Sequence, residues 1–180
     1  MNEQKTLEKL YSKMTDEYID IVIDILNNDE FKKRLEYNHH ENRSVYTHSL
    51  IVSFNSYKIA KILKLDYESA AIGGLLHDFY YDDWQKSHKK GIKNLHGFVH
   101  AYEALENSRK IFPEFMTDKI SDIIVKHMFP LNIRPPKYIE GWIITCVDKV
   151  VSLEIFATPK QLYKYVGLAF IFNIFKIRLK

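Results

Sequence analysis

The chain has 180 residues, enough for one ordinary domain with a real core. Hydrophobic residues make up 46% and charged residues 27%, a globular rather than a disordered balance. The formal charge is only +3 and no Arg-rich stripe or recognition module appears, so specific nucleic-acid binding is not indicated.

The first residues, MNEQKTLEKL, are polar and lack the apolar stretch of a signal peptide. Periodicity predicts a helix over 4–14, with Leu7, Leu10, Tyr11 and Met14 on one stripe. A second helix is expected from about Asp16 to Tyr37, with Ile19, Ile23, Leu26 and Phe31 inward and Asn27-Asn28 as a possible interruption. Asn38 to Arg43 reads as a loop, in which His39 and His40 would be solvated. Ser44 can cap a helix from Val45 to about Leu63, and Asp66 the next, which carries Ala70, Ala71, Leu75 and Leu76. Gly73-Gly74 weakens that helix intrinsically but permits close approach of a neighbour.

Tyr80 to Leu95 is a long polar connection, of the kind that often borders a functional site. Helices are then expected over about Gly97–Lys110, Thr117–Met128, Tyr138–Phe156 and Lys160–Arg178. Trp142, Ile143, Cys146, Val147 and Val150 form the inward set of the third of these. No strand pattern or repeat stands out. The expectation is an all-α fold of seven to nine helices in a single domain, residues 1–180, with a motif core at about 44–152 and flanking helices at both ends. The apolar stretch from Tyr165 to Lys176 is too short and interrupted to span a bilayer. It reads as a core helix or a homodimer contact, with a membrane-surface helix as the lesser alternative. The single cysteine, Cys146, forbids an intrachain disulfide and fits a reducing, cytoplasmic setting.

Histidines carry the functional signal. His48 lies early in the third helix; His77-Asp78 ends an apolar one as Gly-Leu-Leu-His-Asp; His100 and His127 follow, and Asp148 sits in Cys-Val-Asp-Lys among apolar residues. Each alone is weak, because an isolated helical His is usually a surface or satisfied core residue. Asp148 is harder to dismiss, since a buried carboxylate needs a partner: a Lys or Arg, or a metal held by imidazoles. Imidazole with carboxylate suits Mn, Fe, Co, Ni or Zn better than Ca. No cysteine cluster is present to build a structural zinc site.

The ordered set His … His-Asp … Asp resembles the HD-domain superfamily of metal-dependent phosphohydrolases, over roughly residues 44–152. The resemblance implies an all-helical domain and a divalent transition metal held by His48, His77, Asp78 and Asp148. His100 and His127 resemble the further histidines of members that hold two ions; Asp78 would then bridge. The implied activity is hydrolysis of a nucleotide or related small phosphoester by attack of metal-bound water. Asp78, His100 and His127 are the candidate catalytic residues; with a single ion, His100 or His127 would protonate the leaving group or order a water. The Gly-Tyr-Pro signature of the cyclic-dinucleotide branch is missing, and the nearer resemblance is to YqeK-like dinucleoside tetraphosphate hydrolases.

The sequence also departs from the family. Many members carry Lys three residues after the doublet Asp, and Tyr81 stands there. Arg43, Lys86 and Trp84 are the candidate substrate contacts in its place. Each has a plain alternative: a salt bridge for Arg43, a solvated run for Lys86 to Lys90, core packing for Trp84 and for Phe79, Tyr80 and Phe129. His96 is a supporting candidate near His100, and His88 reads as loop surface. Two other functions compete: a metal-binding regulatory or interaction domain without turnover, and a diiron oxygenase.

Overall fold

The computed structural model describes residues 3–40, 43–81 and 96–152. The expected helix at 160–178, with its dimer contact, and Trp84, Lys86 and His88 lie outside the described residues. Eight α-helices are described: α1 Glu3–Tyr11, α2 Asp16–Asn27, α3 Asp29–Lys32, α4 Val45–Ile62, α5 Tyr67–Leu76, α6 His96–Ile111, α7 Asp118–Lys126 and α8 Ile139–Ser152. Two short 3₁₀ turns, Lys33–Glu36 and Pro113–Phe115, join them. The fold class is all-α. No described helix is long and apolar enough to cross a membrane.

Short polar side chains start the helices. Thr15, Ser44, Asp66 and Thr117 each accept a hydrogen bond from the backbone N–H three residues on, taking up a donor that a helix start leaves open. Asn28 breaks the second expected helix, because its Oδ1 accepts from both Glu30 N and Phe31 N and starts α3. Of the expected inward residues, Leu26 and Phe31 are buried and Ile19 packs against the core, but Ile23 does not. The buried residues of α2 are Tyr18, Val22, Ile25 and Leu26, while Ile23 is exposed. The expected loop at 38–43 contains a small antiparallel pairing, β1 Asn38–His40 with β2 Arg43–Ser44, which the sequence pattern did not reveal.

Helix α4 is the axis of the core, buried along most of its length. On one side Leu50, Phe54 and Tyr57 pack with Tyr18, Phe31, Leu75, Phe79 and Ile124. On the other, Val52 and Ile59 pack with Ile123, Ile143, Ile144 and Val147. Each such side chain contributes about 1.5–3 kcal/mol by leaving water. Gly74 lets α5 lie directly on α4, since a Cβ there would stand 2.6 Å from Ser53 Cα. At the same contact Ser53 Oγ donates to Ala71 O at 2.6 Å and takes the Tyr18 hydroxyl at 2.7 Å.

One ion network ties three helix starts. Lys119, near the start of α7, reaches Asp66, the N-cap of α5, at 2.8 Å and Glu140, near the start of α8, at 3.5 Å. Glu140 is buried and also accepts from Asp66 N at 3.1 Å. The opposite ends of these helices carry His77, His127 and Asp148.

Candidate metal centre

Six side chains from five helices meet in the interior, all buried: His48, His77, Asp78, His100, His127 and Asp148. They form two groups that share Asp78, one with His48, His77 and Asp148, the other with His100 and His127; within each, the potential ligand atoms lie within 4.8 Å of one another. Local structure sets each position. The Ser44 cap places His48 one turn into α4. His77 and His127 are the C-caps of α5 and α7. Both use one device: Nδ1–H donates to the carbonyl three residues back, Gly74 O at 2.8 Å and Ile124 O at 2.7 Å. Each bond takes up a carbonyl that the helix end leaves open and holds the ring by Nδ1, so that Nε2 is the nitrogen that faces the cluster.

Asp78 stands between the groups. Its Oδ2 is 3.3 Å from His77 Nε2 and 3.8 Å from His48 Nε2. Its Oδ1 is 3.4 Å from His100 Nε2 and 3.5 Å from His127 Nε2. Asp148 Oδ1 lies 3.1 Å from His48 Nε2 and 3.7 Å from His77 Nε2, and Ser152 Oγ donates to the same oxygen at 3.2 Å.

The electrostatics suit a cation. Burial works against charge on His77, but the carboxylates of Asp78 and Asp148 outweigh it and push the imidazole up to about 10. Burial raises Asp148 as well, yet His48 and His77 bring its carboxyl well below the usual range. Burial and the neighbouring His77 push His127 down to about 3, so it is a neutral imidazole. His77 Nε2 has no hydrogen-bond partner although it is buried and faces two carboxylates. A lone pair aimed at carboxylate oxygens is stabilised by a proton or by a metal ion. The donor set of imidazole nitrogen and carboxylate oxygen fits a divalent transition metal, and either group can coordinate one.

The turn after the doublet is clamped. Asn107 Nδ2 donates to Phe79 O at 2.9 Å, and Glu103 Oε1 accepts from Tyr81 N at 3.3 Å. The buried Arg34 guanidinium lies between the Phe79 and Tyr81 rings, 4.2 and 4.3 Å from their centres. Tyr81, where a lysine was the family expectation, also donates to Glu30 Oε2 at 3.1 Å. Nothing in the basic run around Arg34 signals this burial; a solvated helix end is its natural reading.

Other expected contacts are placed apart or differently. Arg43 is half-buried in β2, and no described hydrogen bond or ion pair joins it to the six residues. Helix α6 begins at His96, four residues before His100. Tyr80 is buried, with its ring against His100 at 5.6 Å, while Phe79 packs in the core and Phe129 against Trp142 at 5.2 Å.

The family model described as "HD domain" matches residues 45–153. A crystal structure described as a predicted HD superfamily hydrolase, from an uncultured Thermotogales bacterium, is similar at 19% identity and a TM-score of 0.43, covering 96% of this chain and 95% of that one. No curated protein matches the chain. From the family match over residues 45–153, which contain all six clustered side chains, the chain belongs to the HD domain family.

Proposed function

We propose that the protein is a metal-dependent phosphohydrolase acting on a nucleotide or related small phosphoester, with dinucleoside polyphosphates of the YqeK-like type the first substrates to test. The observation that carries this reading is the divided carboxylate of Asp78: one oxygen faces His48 and His77, the other His100 and His127. A bridging carboxylate with separate ligands on either side is the arrangement of a two-ion hydrolytic centre. His48, His77 and Asp148 would hold one ion, and His100 and His127 the other.

Bound divalent ions would acidify water and offset phosphoryl charge. The chain's own residues do the rest. The carbonyls of Gly74 and Ile124 hold the His77 and His127 rings in the ligand tautomer. His127, neutral throughout the working range, serves as ligand rather than as proton donor. With only one ion bound, His100 would order a water or protonate the leaving oxygen. The buried Tyr80 ring covers the His100 side of the cluster.

The test is release of phosphate or nucleotide from a substrate panel by protein loaded with Mn, Fe, Co or Ni under reducing conditions. Dinucleoside polyphosphates, nucleotides and simple phosphomonoesters form the panel. Turnover that vanishes with chelator and in Asp148→Ala supports the reading. Metal-loaded protein inert toward the whole panel refutes it and leaves the regulatory, non-turnover function; oxygen consumption by a diiron form would instead establish the oxygenase.

A further inference from the structure

Lys149 follows Asp148 on α8, and consecutive helical side chains diverge by about 100°. Its ammonium nevertheless turns back toward the centre. Nζ donates to His127 O at 3.2 Å and lies 3.9 Å from Asp148 Oδ2. It thus touches one residue from each group of ligands. Its side chain is 35% exposed, whereas Asp148 beside it is 9% exposed, so the charge sits at the rim and not inside.

Two facts make this cation more than a cap on the end of α7. An ammonium has three N–H donors, and the His127 carbonyl uses one. The charge balance is the second. Two divalent ions against the two carboxylates, Asp78 and Asp148, would leave the centre positive. A further positive charge beside Asp148 is then unfavourable until an anion lies between it and the ions.

We infer that Lys149 is a substrate-binding residue that grips a phosphoryl oxygen at the rim of the metal centre. The inference rests on the phosphohydrolase reading and deepens it, because it assigns the phosphate contact to α8 and not to the position held by Tyr81. A lysine suits the task as a compact point charge on a flexible stem that meets phosphate without a fixed fork geometry.

The probe is inorganic phosphate, titrated into the metal-loaded full chain by calorimetry, with metal content and thermal midpoint measured on the same samples. Lys149→Met removes charge and donor together; Lys149→Arg keeps both. In Lys149→Met, phosphate affinity is expected to fall about tenfold or more, the size of one lost charge-assisted hydrogen bond. Metal content should stay at the wild-type value and the midpoint should fall by no more than about 2–4 °C, the worth of the one lost bond to His127 O. Lys149→Arg should stay within about threefold of wild type in phosphate affinity. Phosphate bound equally well by Lys149→Met overturns the inference while leaving the phosphohydrolase reading intact. Loss of metal or a lowered midpoint in proportion to the lost affinity also overturns it, by showing a helix cap alone. A wild-type metal-loaded protein that neither binds phosphate nor turns over a phosphoester fails the underlying reading itself.

Discussion

His100 Nε2 and His127 Nε2 lie 3.1 Å apart in the protein interior. The Nδ1–H of His127 is already given to Ile124 O, so its Nε2 can only present a lone pair. Two imidazoles from α6 and α7 therefore point at one spot that a proton or a metal ion has to occupy. Asp78 Oδ1 lies 3.4 Å from His100 Nε2 and 3.5 Å from His127 Nε2, so the carboxylate faces the same spot.

Removing one of these rings should separate the two ions. His127→Ala is expected to lose about half of the bound metal and keep the ion at His48, His77 and Asp148. Asp78→Ala, which strips both groups of a shared ligand, should lose nearly all of it. Metal-to-protein ratios from elemental analysis of untagged, chelator-free protein decide this; equal ratios in wild type and His127→Ala would remove the second ion.

Metal affinity should rise with pH. In the metal-free protein, burial disfavours charge on His77 but Asp78 and Asp148 more than compensate, placing it at about 10. The ring therefore carries a proton across the neutral range, and an ion must displace it. Apparent affinity is expected to increase about tenfold per pH unit for that one proton, up to about pH 10. The same shift gives the metal-free protein stability that is fully present below the unfolded-state value near 6.5 and is lost as pH rises through about 10. Chelator-competition titrations from pH 6 to 8 test this; a flat affinity would contradict it.

Gly74→Ala should damage both packing and site. The new Cβ would stand 2.6 Å from Ser53 Cα, a backbone atom that cannot rotate away. Separation of α5 from α4 is expected to cost about 1–3 kcal/mol. It would also shift the carbonyl that orients His77. Urea unfolding of the metal-free protein, paired with metal content, measures the two effects.

Lys64→Gly should stabilise the chain without touching function. Helix α4 ends with Lys64 N on Lys61 O at 3.1 Å and Leu65 N on Ala60 O at 2.9 Å, the paired bonds of a left-handed helix stop. Lys64 adopts φ 55° there, where a Cβ is strained. Relief is expected to be worth about 1 kcal/mol, less whatever entropy glycine returns to the unfolded chain. A lowered thermal midpoint would refute this.

Much of the centre was legible because its ligands are the residues whose chemistry is hardest to explain otherwise. A carboxylate such as Asp148 within Ile143, Ile144 and Val147 demands a partner, and the ordered histidines supply it. Caps were equally legible: Ser44 and Asp66 act through their own next turn and need no tertiary information. The edge of the α2 stripe was not: Ile19 and Leu26 pack on the core as their spacing suggests, but Ile23, equally apolar, falls on the exposed side while Tyr18, Val22 and Ile25 are buried. Tertiary packing decides on which side of the edge Ile23 falls. The division of Asp78 between two sets of rings, the burial of Arg34 and the return of Lys149 to His127 depend on where helices distant in sequence come to lie. No local pattern encodes them.

The network of Asp66, Lys119 and Glu140 gathers the starts of α5, α7 and α8, while the ligands sit toward the other ends. The three helices are thus pinned like the ribs of a fan at its rivet. Their spread at the far end is set by salt-bridge and apolar contacts that need no ion. Metal uptake should then resemble filling a cast more than drawing a chain together, with little heat-capacity change and no gain of helix on loading. Weakening the rivet, more than 10 residues from His77 along the chain, should loosen the mould without altering a single ligand.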